Sequence, residues 1–173
     1  MAEKLNKTVL VVDDEADVRV FLSTALMEAG FDVETAADGF EALDKVKAKK
    51  PDLISLDLVM PGKSGVMFHR ELIKNKEWAK IPILIVTGHA RDDLGKSDLK
   101  ELTMSGPGIY LEKPVKPNNY IAAIKKLLCL DTTREENEAA EAIDLQNQLK
   151  NMVDDADPET LRRIQELLQK ERS

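Results

Sequence analysis

The sequence predicts an α/β fold in which a doubly wound, five-stranded parallel sheet is covered by helices on both faces. Short apolar runs rich in β-branched residues alternate with amphipathic helical patterns five times before residue 130. The runs at 9–12, 53–56 and 83–86 are almost entirely apolar, as in strands that are buried on both sides. Strict alternation of strands and helices favours right-handed crossovers and therefore parallel pairing.

The elements are predicted in the following order along the chain. Strands are expected at residues 8–12, 31–35, 53–56, 81–86 and 109–111, and helices at residues 16–29, 39–48, 64–75, 92–104 and 118–130. Gly30 is a helix stop signal and Asp38 a helix cap, which supports the boundaries around the second strand. That strand alternates apolar and polar residues, as an edge strand does.

The predicted helix at 92–104 has the weakest pattern. The segment around it contains Gly95, Gly106, Pro107 and Gly108, which are poor helix formers. We therefore expect this helix to be irregular, lengthened or mobile.

Composition excludes several functional classes. A net charge of -7 and an aromatic content of 4% argue against a nucleic-acid-binding surface. Cys129 is the only cysteine, so no internal disulfide is possible, and its place near the end of a helix predicts a packed side chain. We expect His69 and His89 to be ordinary surface or loop residues. No signal peptide or membrane span is evident, which predicts a cytoplasmic protein.

The charge composition of the chain changes near residue 131. Residues 131–173 carry 12 acidic and 6 basic side chains, whereas residues 1–130 carry 20 and 19. We predict a domain at 1–130 and an acidic amphipathic helical extension at 131–173. The extension is too short and too acidic for an appended DNA-binding domain.

Two helices are predicted within this extension. A capping box begins at Thr133, and Asp157-Pro158 marks a break and a new start. A stripe with alternating spacings of three and four residues comprises Ala142, Leu145, Leu149, Met152 and Ala156. Such a stripe needs a partner surface. A homodimer through a hairpin or coiled coil, packing on the preceding domain, and docking to a target all remain open.

Four of the predicted strands end in residues that carry a charge or a hydroxyl group. These residues are Asp13 and Asp14, Asp57, Thr87, and Lys113. Ligand sites in doubly wound sheets form at the carboxyl ends of the strands, where the strand order reverses. We therefore expect the five side chains to form one site.

The chemistry of these residues suits phosphoryl transfer. Three neighbouring carboxylates repel one another, and both Lys113 and Mg²⁺ can compensate their charge, since oxygen ligands suit that metal. The same cations stabilise a phosphoryl group in transit. A carboxylate such as Asp57 can act as the nucleophile and form an acyl phosphate, and the Thr87 hydroxyl can donate a hydrogen bond to it.

Over about residues 7–130, the chain resembles the receiver domains of two-component response regulators, including chemotaxis regulators. The matching segments are Val11-Val12-Asp13-Asp14-Glu15, residues 57–65 (DLVMPGKSG), Thr87-Gly88 and Tyr110-Leu111-Glu112-Lys113-Pro114. The resemblance implies the flavodoxin-like strand order 2-1-3-4-5.

The resemblance also implies roles for the site. Asp57 accepts phosphate from a histidine kinase or phosphotransfer protein. Asp14 and Asp57 bind Mg²⁺ directly with the Val59 carbonyl, and Asp13 acts through water. Lys113 pairs with the phosphoryl oxygens and precedes a cis proline.

By the same resemblance, Thr87 and Tyr110 form a switch pair. Their movement remodels the face made by the fourth predicted helix, the fifth strand and the fifth predicted helix, which changes interactions with an unknown protein target. We do not expect an enzyme. Thr87 and Lys113 lie 26 positions apart, slightly more than in compact members of the family.

Two other hypotheses about the function remain open. The chain could be a receiver-like scaffold or dimerisation module that never turns over phosphate. It could also be an aspartate-nucleophile phosphatase, although such enzymes usually carry a second Asp where Val59 stands.

Overall fold

The structure is a computed structural model that describes residues 3–88, 108–130 and 134–171. Its strands are β1 (Thr8–Val12), β2 (Asp32–Ala36), β3 (Leu53–Leu56), β4 (Ile83–Thr87) and β5 (Gly108–Glu112). Its α-helices are α1 (Ala16–Glu28), α2 (Gly39–Ala48), α3 (Ser64–Lys74), α4 (Pro117–Leu127), α5 (Arg134–Asp155) and α6 (Pro158–Glu171). Short 3-10 turns lie at Pro61–Lys63 and Trp78–Lys80.

All five strands form one sheet in the order β2-β1-β3-β4-β5, and every pairing is parallel. The chain therefore has the flavodoxin-like fold that was predicted, and β2 is an edge strand as expected. In the register of β1 and β3, Val12 lies opposite Leu56. The residues that follow these two strands consequently emerge side by side at the carboxyl edge of the sheet.

The core lies between the sheet and the helices that cover it. In β1 the last four residues are buried, and all four residues of β3 are buried. Phe68 and Leu72 of α3 are fully buried in the same apolar cluster as Leu10 and Ile54. Burial of one such large side chain contributes about 1.5–3 kcal/mol, so this cluster fixes α2 and α3 against the central strands.

The predicted helix stop at Gly30 and helix cap at Asp38 are confirmed, whereas β2 is shifted by one residue from the predicted range of 31–35. Gly30 has a φ of 97°, which a residue with a side chain rarely adopts, and its amide donates to the Met27 carbonyl at 3.1 Å. Asp38 accepts from the Glu41 amide at 2.8 Å, and the Glu41 carboxylate accepts from the Ala37 amide at 2.9 Å. Asp38 is thus the predicted cap and starts α2 at the predicted residue, while the Glu41 carboxylate satisfies the amide of the residue before the cap.

Two expectations about single side chains were wrong. Helix α4 ends at Leu127, and Cys129 lies beyond it with a φ of 54°, so its side chain is exposed rather than packed. His69 was expected at the surface but is buried, because it lies on the α3 face that also buries Val66 and Phe68.

Several predictions fall outside the described residues. These concern the helix at 92–104, the Gly95, Gly106 and Pro107 positions, His89, and the capping box at Thr133.

The described residues group into two compact units, Met1–Ala140 and Glu141–Ser173. Within the first unit, the start of α5 is tied to α4 by an ion pair between Lys125 Nζ and Glu136 Oε1 at 2.8 Å. The predicted domain boundary at residue 130 stays a prediction. The break between α5 and α6 is confirmed, and Asp157 accepts from the Thr160 amide at 2.9 Å as the predicted cap. None of the described helices has both the length and the apolarity that a bilayer crossing requires.

Replacement of Gly39 by alanine should destabilise the domain. A Cβ atom at Gly39 would lie 2.1 Å from the Ser64 carbonyl oxygen, so α2 and α3 would have to separate. We expect Gly39→Ala to lower the free energy of unfolding by about 2 kcal/mol, measured by urea denaturation.

The control is Gly88→Ala, because a Cβ atom there would meet nothing within 4 Å among the residues that the structure describes. Equal stability of wild type and Gly39→Ala would contradict the close approach of the two helices.

Candidate functional site: an acidic cluster closed by a lysine

The carboxyl ends of β1 and β3 bring two aspartates together. Asp13 follows β1 and Asp57 follows β3, and the Asp57 amide donates to the Val12 carbonyl at 2.9 Å. This hydrogen bond extends the β-ladder by one step and fixes the backbone of Asp57 beside that of Asp13. Both aspartates are almost fully buried, with 1% and 3% of their surface exposed.

Asp14 completes a cluster of three carboxylates. Asp13, Asp14 and Asp57 each place a carboxylate oxygen within 4.8 Å of the others, and Asp14 is exposed. Three hard oxygen donors with one open side are the ligand type that Mg²⁺ prefers, because this ion keeps several waters. Three of the four predicted metal residues, the aspartates, are therefore brought together, and their chemistry fits this ion; the role of the Val59 carbonyl stays a prediction.

Lys113, which follows β5, lies at the centre of the charges. Its Nζ atom is 2.8 Å from Asp13 Oδ2, 3.3 Å from Asp57 Oδ2 and 3.2 Å from Glu15 Oε1. Its side chain is only 18% exposed. The lysine therefore compensates the mutual repulsion of the buried aspartates.

The electrostatic environment keeps Lys113 charged. Burial alone lowers the pKa of its ammonium, but the hydrogen bond to Asp13 and the charges of Asp57 and Asp13 outweigh that effect. The hydrogen bond to Glu15 acts in the same direction, so the pKa of Lys113 is raised well above the ordinary lysine value.

Backbone groups orient the two buried carboxylates. The Val59 amide donates to Asp57 Oδ1 at 3.0 Å, and the Glu15 amide donates to Asp13 Oδ1 at 2.9 Å. In each carboxylate the other oxygen, Oδ2, faces Lys113. Gly65 packs closely behind Asp57, because a Cβ atom at Gly65 would lie 2.4 Å from the Asp57 carbonyl oxygen.

The remaining predicted site residues are placed by their backbone. Thr87 is the last residue of β4 and pairs with Glu112 of β5. Tyr110 of β5 pairs with Ile85 of β4. The side chains of Thr87 and Tyr110 lie outside the described part of the structure, so their switch role stays a prediction. The predicted cis peptide bond between Lys113 and Pro114 is confirmed.

Three residues contribute to the site although the sequence analysis assigned them no role. Glu15 contacts Lys113, and Arg19 Nη1 donates to the Asp13 carbonyl at 2.7 Å. Arg19 follows Glu15 by four positions, a helical spacing that could have suggested a shared face. Tyr120 in α4 is fully buried; burial raises the pKa of its hydroxyl, and the charge of Asp13 adds to this effect. No local pattern marks Tyr120 as a neighbour of the site.

Removal of Lys113 should destabilise the metal-free protein. Lys113→Met leaves two buried carboxylates without their cation, and we expect a loss of about 2 kcal/mol at pH 7, because loss of one partner in a buried ion pair is costly. The folded-state pKa of Lys113 is raised, so its contribution is complete below the unfolded-state pKa of about 10.4 and is lost only as the pH rises through the folded-state pKa.

The difference in unfolding free energy between wild type and Lys113→Met should therefore stay constant between about pH 7 and pH 9. Urea denaturation at several pH values measures it, with exposed Lys116→Met as the matched control. A difference that disappears within this pH range would contradict the proposed charge balance.

Comparisons with known proteins agree on one family. Residues 9–125 match the response regulator receiver domain. The phosphate regulon transcriptional regulatory protein PhoB of Pseudomonas aeruginosa is 34% identical over 124 residues, covering 72% of this chain and 52% of that protein. The DNA-binding response regulator MtrA of Mycobacterium tuberculosis is 31% identical over 146 residues, covering 83% and 58%. The chain thus spans about half the length of the curated relatives it matches.

A solved structure gives the same result. The chemotaxis protein CheY4 of Vibrio cholerae superposes with a TM-score of 0.61 at 31% identity, covering 70% of this chain and 98% of that one. The chain therefore belongs to the response regulator receiver domain family of two-component signalling, whose family model residues 9–125 match.

Proposed function

We propose that this response regulator accepts a phosphoryl group on Asp57 from a histidine kinase or phosphotransfer protein, and that the modification switches its interactions with other proteins. The observation that carries the proposal is the contact between Asp57 Oδ2 and Lys113 Nζ inside a cluster of three carboxylates. This arrangement combines a nucleophile with a fixed cation, which is what phosphoryl transfer to a carboxylate needs.

In the proposed transfer, a carboxylate oxygen of Asp57 forms a bond to phosphorus. The bond from phosphorus to the phosphohistidine nitrogen breaks, and its electron pair stays on the imidazole of the donor. Lys113 lies within 3.3 Å of Asp57 and is held in its charged form. Its ammonium can therefore neutralise part of the negative charge of the incoming phosphoryl oxygens. The Val59 amide keeps the carboxylate oriented during this step.

Asp14 and Asp57, with the Val59 carbonyl, would hold Mg²⁺ directly, and Asp13 would act through water. When bound, this ion neutralises charge on the phosphoryl oxygens. The mutual approach of the three carboxylates within 4.8 Å supports the assignment.

For the output, we assign the switch to Thr87 and Tyr110 and the responding surface to residues 92–104, β5 and α4. The backbone supports this assignment, because Thr87 ends β4 beside Glu112 of β5, two residues after Tyr110. We assign Asp57 the role of an acceptor rather than that of an enzyme nucleophile with turnover, and we place the protein in the cytoplasm, where its single cysteine stays reduced.

The extension supplies a second interaction surface in this proposal. Leu145, Leu149 and Met152 lie on one stripe of α5 and are 58%, 53% and 66% exposed. Their spacing matches the a and d positions of a coiled coil. We assign this stripe to a homodimer contact, with docking of a separate protein target as the alternative outcome. DNA is not the expected partner of an extension with 12 acidic and 6 basic side chains.

Incubation with acetyl phosphate and Mg²⁺ should add one acid-labile phosphoryl group to the chain. Asp57→Asn should abolish this addition, because the amide is not a nucleophile, whereas Asp44→Asn on the exposed face of α2 should leave it unchanged. Intact-protein mass spectrometry measures the gain. If the folded wild type gains no phosphoryl group, the chain is a receiver-like scaffold instead.

Polar substitution of the α5 stripe should weaken self-association. We expect the double variant Leu145→Gln, Leu149→Gln to be monomeric at concentrations where the wild type, with Mg²⁺ and beryllofluoride, has the mass of a dimer in light scattering. The control replaces exposed Gln146 and Gln148 of the same helix by alanine. A wild type that stays monomeric in every condition would exclude the homodimer.

A further inference from the structure

The ammonium of Lys113 already has three acceptors in the absence of phosphate. A lysine has three N–H donors, and here three carboxylates lie within reach: Asp13 at 2.8 Å, Glu15 at 3.2 Å and Asp57 at 3.3 Å. A phosphoryl group on Asp57 brings new oxygens that need the same donors. The phosphoryl oxygens therefore compete with the present acceptors for the ammonium.

The three acceptors differ in how easily they can leave. The side chains of Asp13 and Asp57 are 2% and 4% exposed, whereas that of Glu15 is 62% exposed. A buried carboxylate that loses its cation cannot be compensated by water, so its departure is costly. Asp57 is also the residue that carries the phosphoryl group. Of the three acceptors, the Glu15 carboxylate can exchange its contact with Lys113 for water at the lowest cost, because its side chain is the most exposed.

The position of Glu15 in the chain fits this role. Glu15 is the residue before α1, yet its side chain makes no capping hydrogen bond to that helix. It reaches instead to Lys113, which lies 98 positions further along the chain. Its backbone amide is fixed by Asp13 Oδ1 at 2.9 Å, so the main chain stays in place when the carboxylate moves.

We propose that Glu15 is a positioning residue that serves as a displaceable counter-ion for Lys113. It occupies the ammonium in the unmodified protein and is displaced when a phosphoryl group forms on Asp57. Glu15 thereby weakens the binding of phosphoryl-like anions and slows phosphorylation by small anionic donors. The inference rests on the proposed function of Asp57 as phosphoryl acceptor.

The test compares four full-length proteins at saturating Mg²⁺: wild type, Glu15→Gln, Glu15→Asp and Asp17→Asn. Glutamine keeps the size of the side chain but removes its charge, and aspartate keeps the charge but shortens the reach to Lys113. Asp17 is an exposed acidic residue in the first turn of α1 and is not among the acceptors of Lys113, so its variant makes the same charge change without the contact.

Beryllofluoride affinity is measured by fluorine NMR titration, and the rate of phosphorylation by acetyl phosphate is measured by mass spectrometry. In that reaction the bond between Asp57 and phosphorus forms while the bond from phosphorus to the acetate oxygen breaks, and acetate leaves with the electron pair. We expect Glu15→Gln to bind beryllofluoride about two- to fivefold more tightly than wild type and to be phosphorylated about two- to fivefold faster. This range corresponds to the energy of a partly exposed ion pair. Glu15→Asp should shift in the same direction, and Asp17→Asn should match wild type.

A second readout needs neither metal nor donor. In the metal-free protein, the nitrogen NMR signal of the Lys113 ammonium should shift in Glu15→Gln and stay in place in Asp17→Asn. Equal affinity and rate for Glu15→Gln and wild type would overturn the proposal, as would an equal gain in Asp17→Asn. If wild type itself takes neither beryllofluoride nor phosphate, the proposed function fails, and that outcome is distinct from failure of the role of Glu15.

Discussion

The contact network of the Lys113 ammonium is the interaction on which the site depends. Two nearly buried aspartates stand beside each other because β1 and β3 are neighbours in the sheet, and their charges would oppose folding without a cation. The lysine that supplies this cation follows β5 at the far edge of the sheet. The sheet order and the charge balance therefore support each other, since this strand order brings the three residues to one place.

Much of this arrangement could be predicted from residues alone. Almost entirely apolar runs marked β1, β3 and β4, because strands buried on both faces have no polar side. The aspartates after β1 and β3 were visible for the same reason: a charge directly after a buried strand must lie at the sheet edge. The caps at Asp38 and Asp157 were also predictable, since they depend only on neighbours within one helical turn.

Other features depend on contacts that no local pattern records. His69 is buried because of how α3 rotates against the sheet, and Cys129 is exposed because α4 ends two residues before it. The contact of Glu15 with Lys113 joins residues 98 positions apart. The distance between Glu15 and Lys113 and the exposure of the Glu15 side chain underlie the role proposed for Glu15. Both quantities are known only once the fold has brought the two residues together.

The close packing around the loop after β3 has a consequence for how such a site can be varied. Gly65 leaves no room for a side chain behind Asp57, and Gly39 leaves none against the start of α3. The frame around Asp57 is therefore sterically closed at these two positions. Redesign of the kinetics has to proceed through side chains at the open rim, where an exposed carboxylate such as Glu15 can be exchanged without movement of the backbone. The packed frame at Gly39 and Gly65 therefore tolerates little change, whereas the exposed rim at Glu15 can be varied.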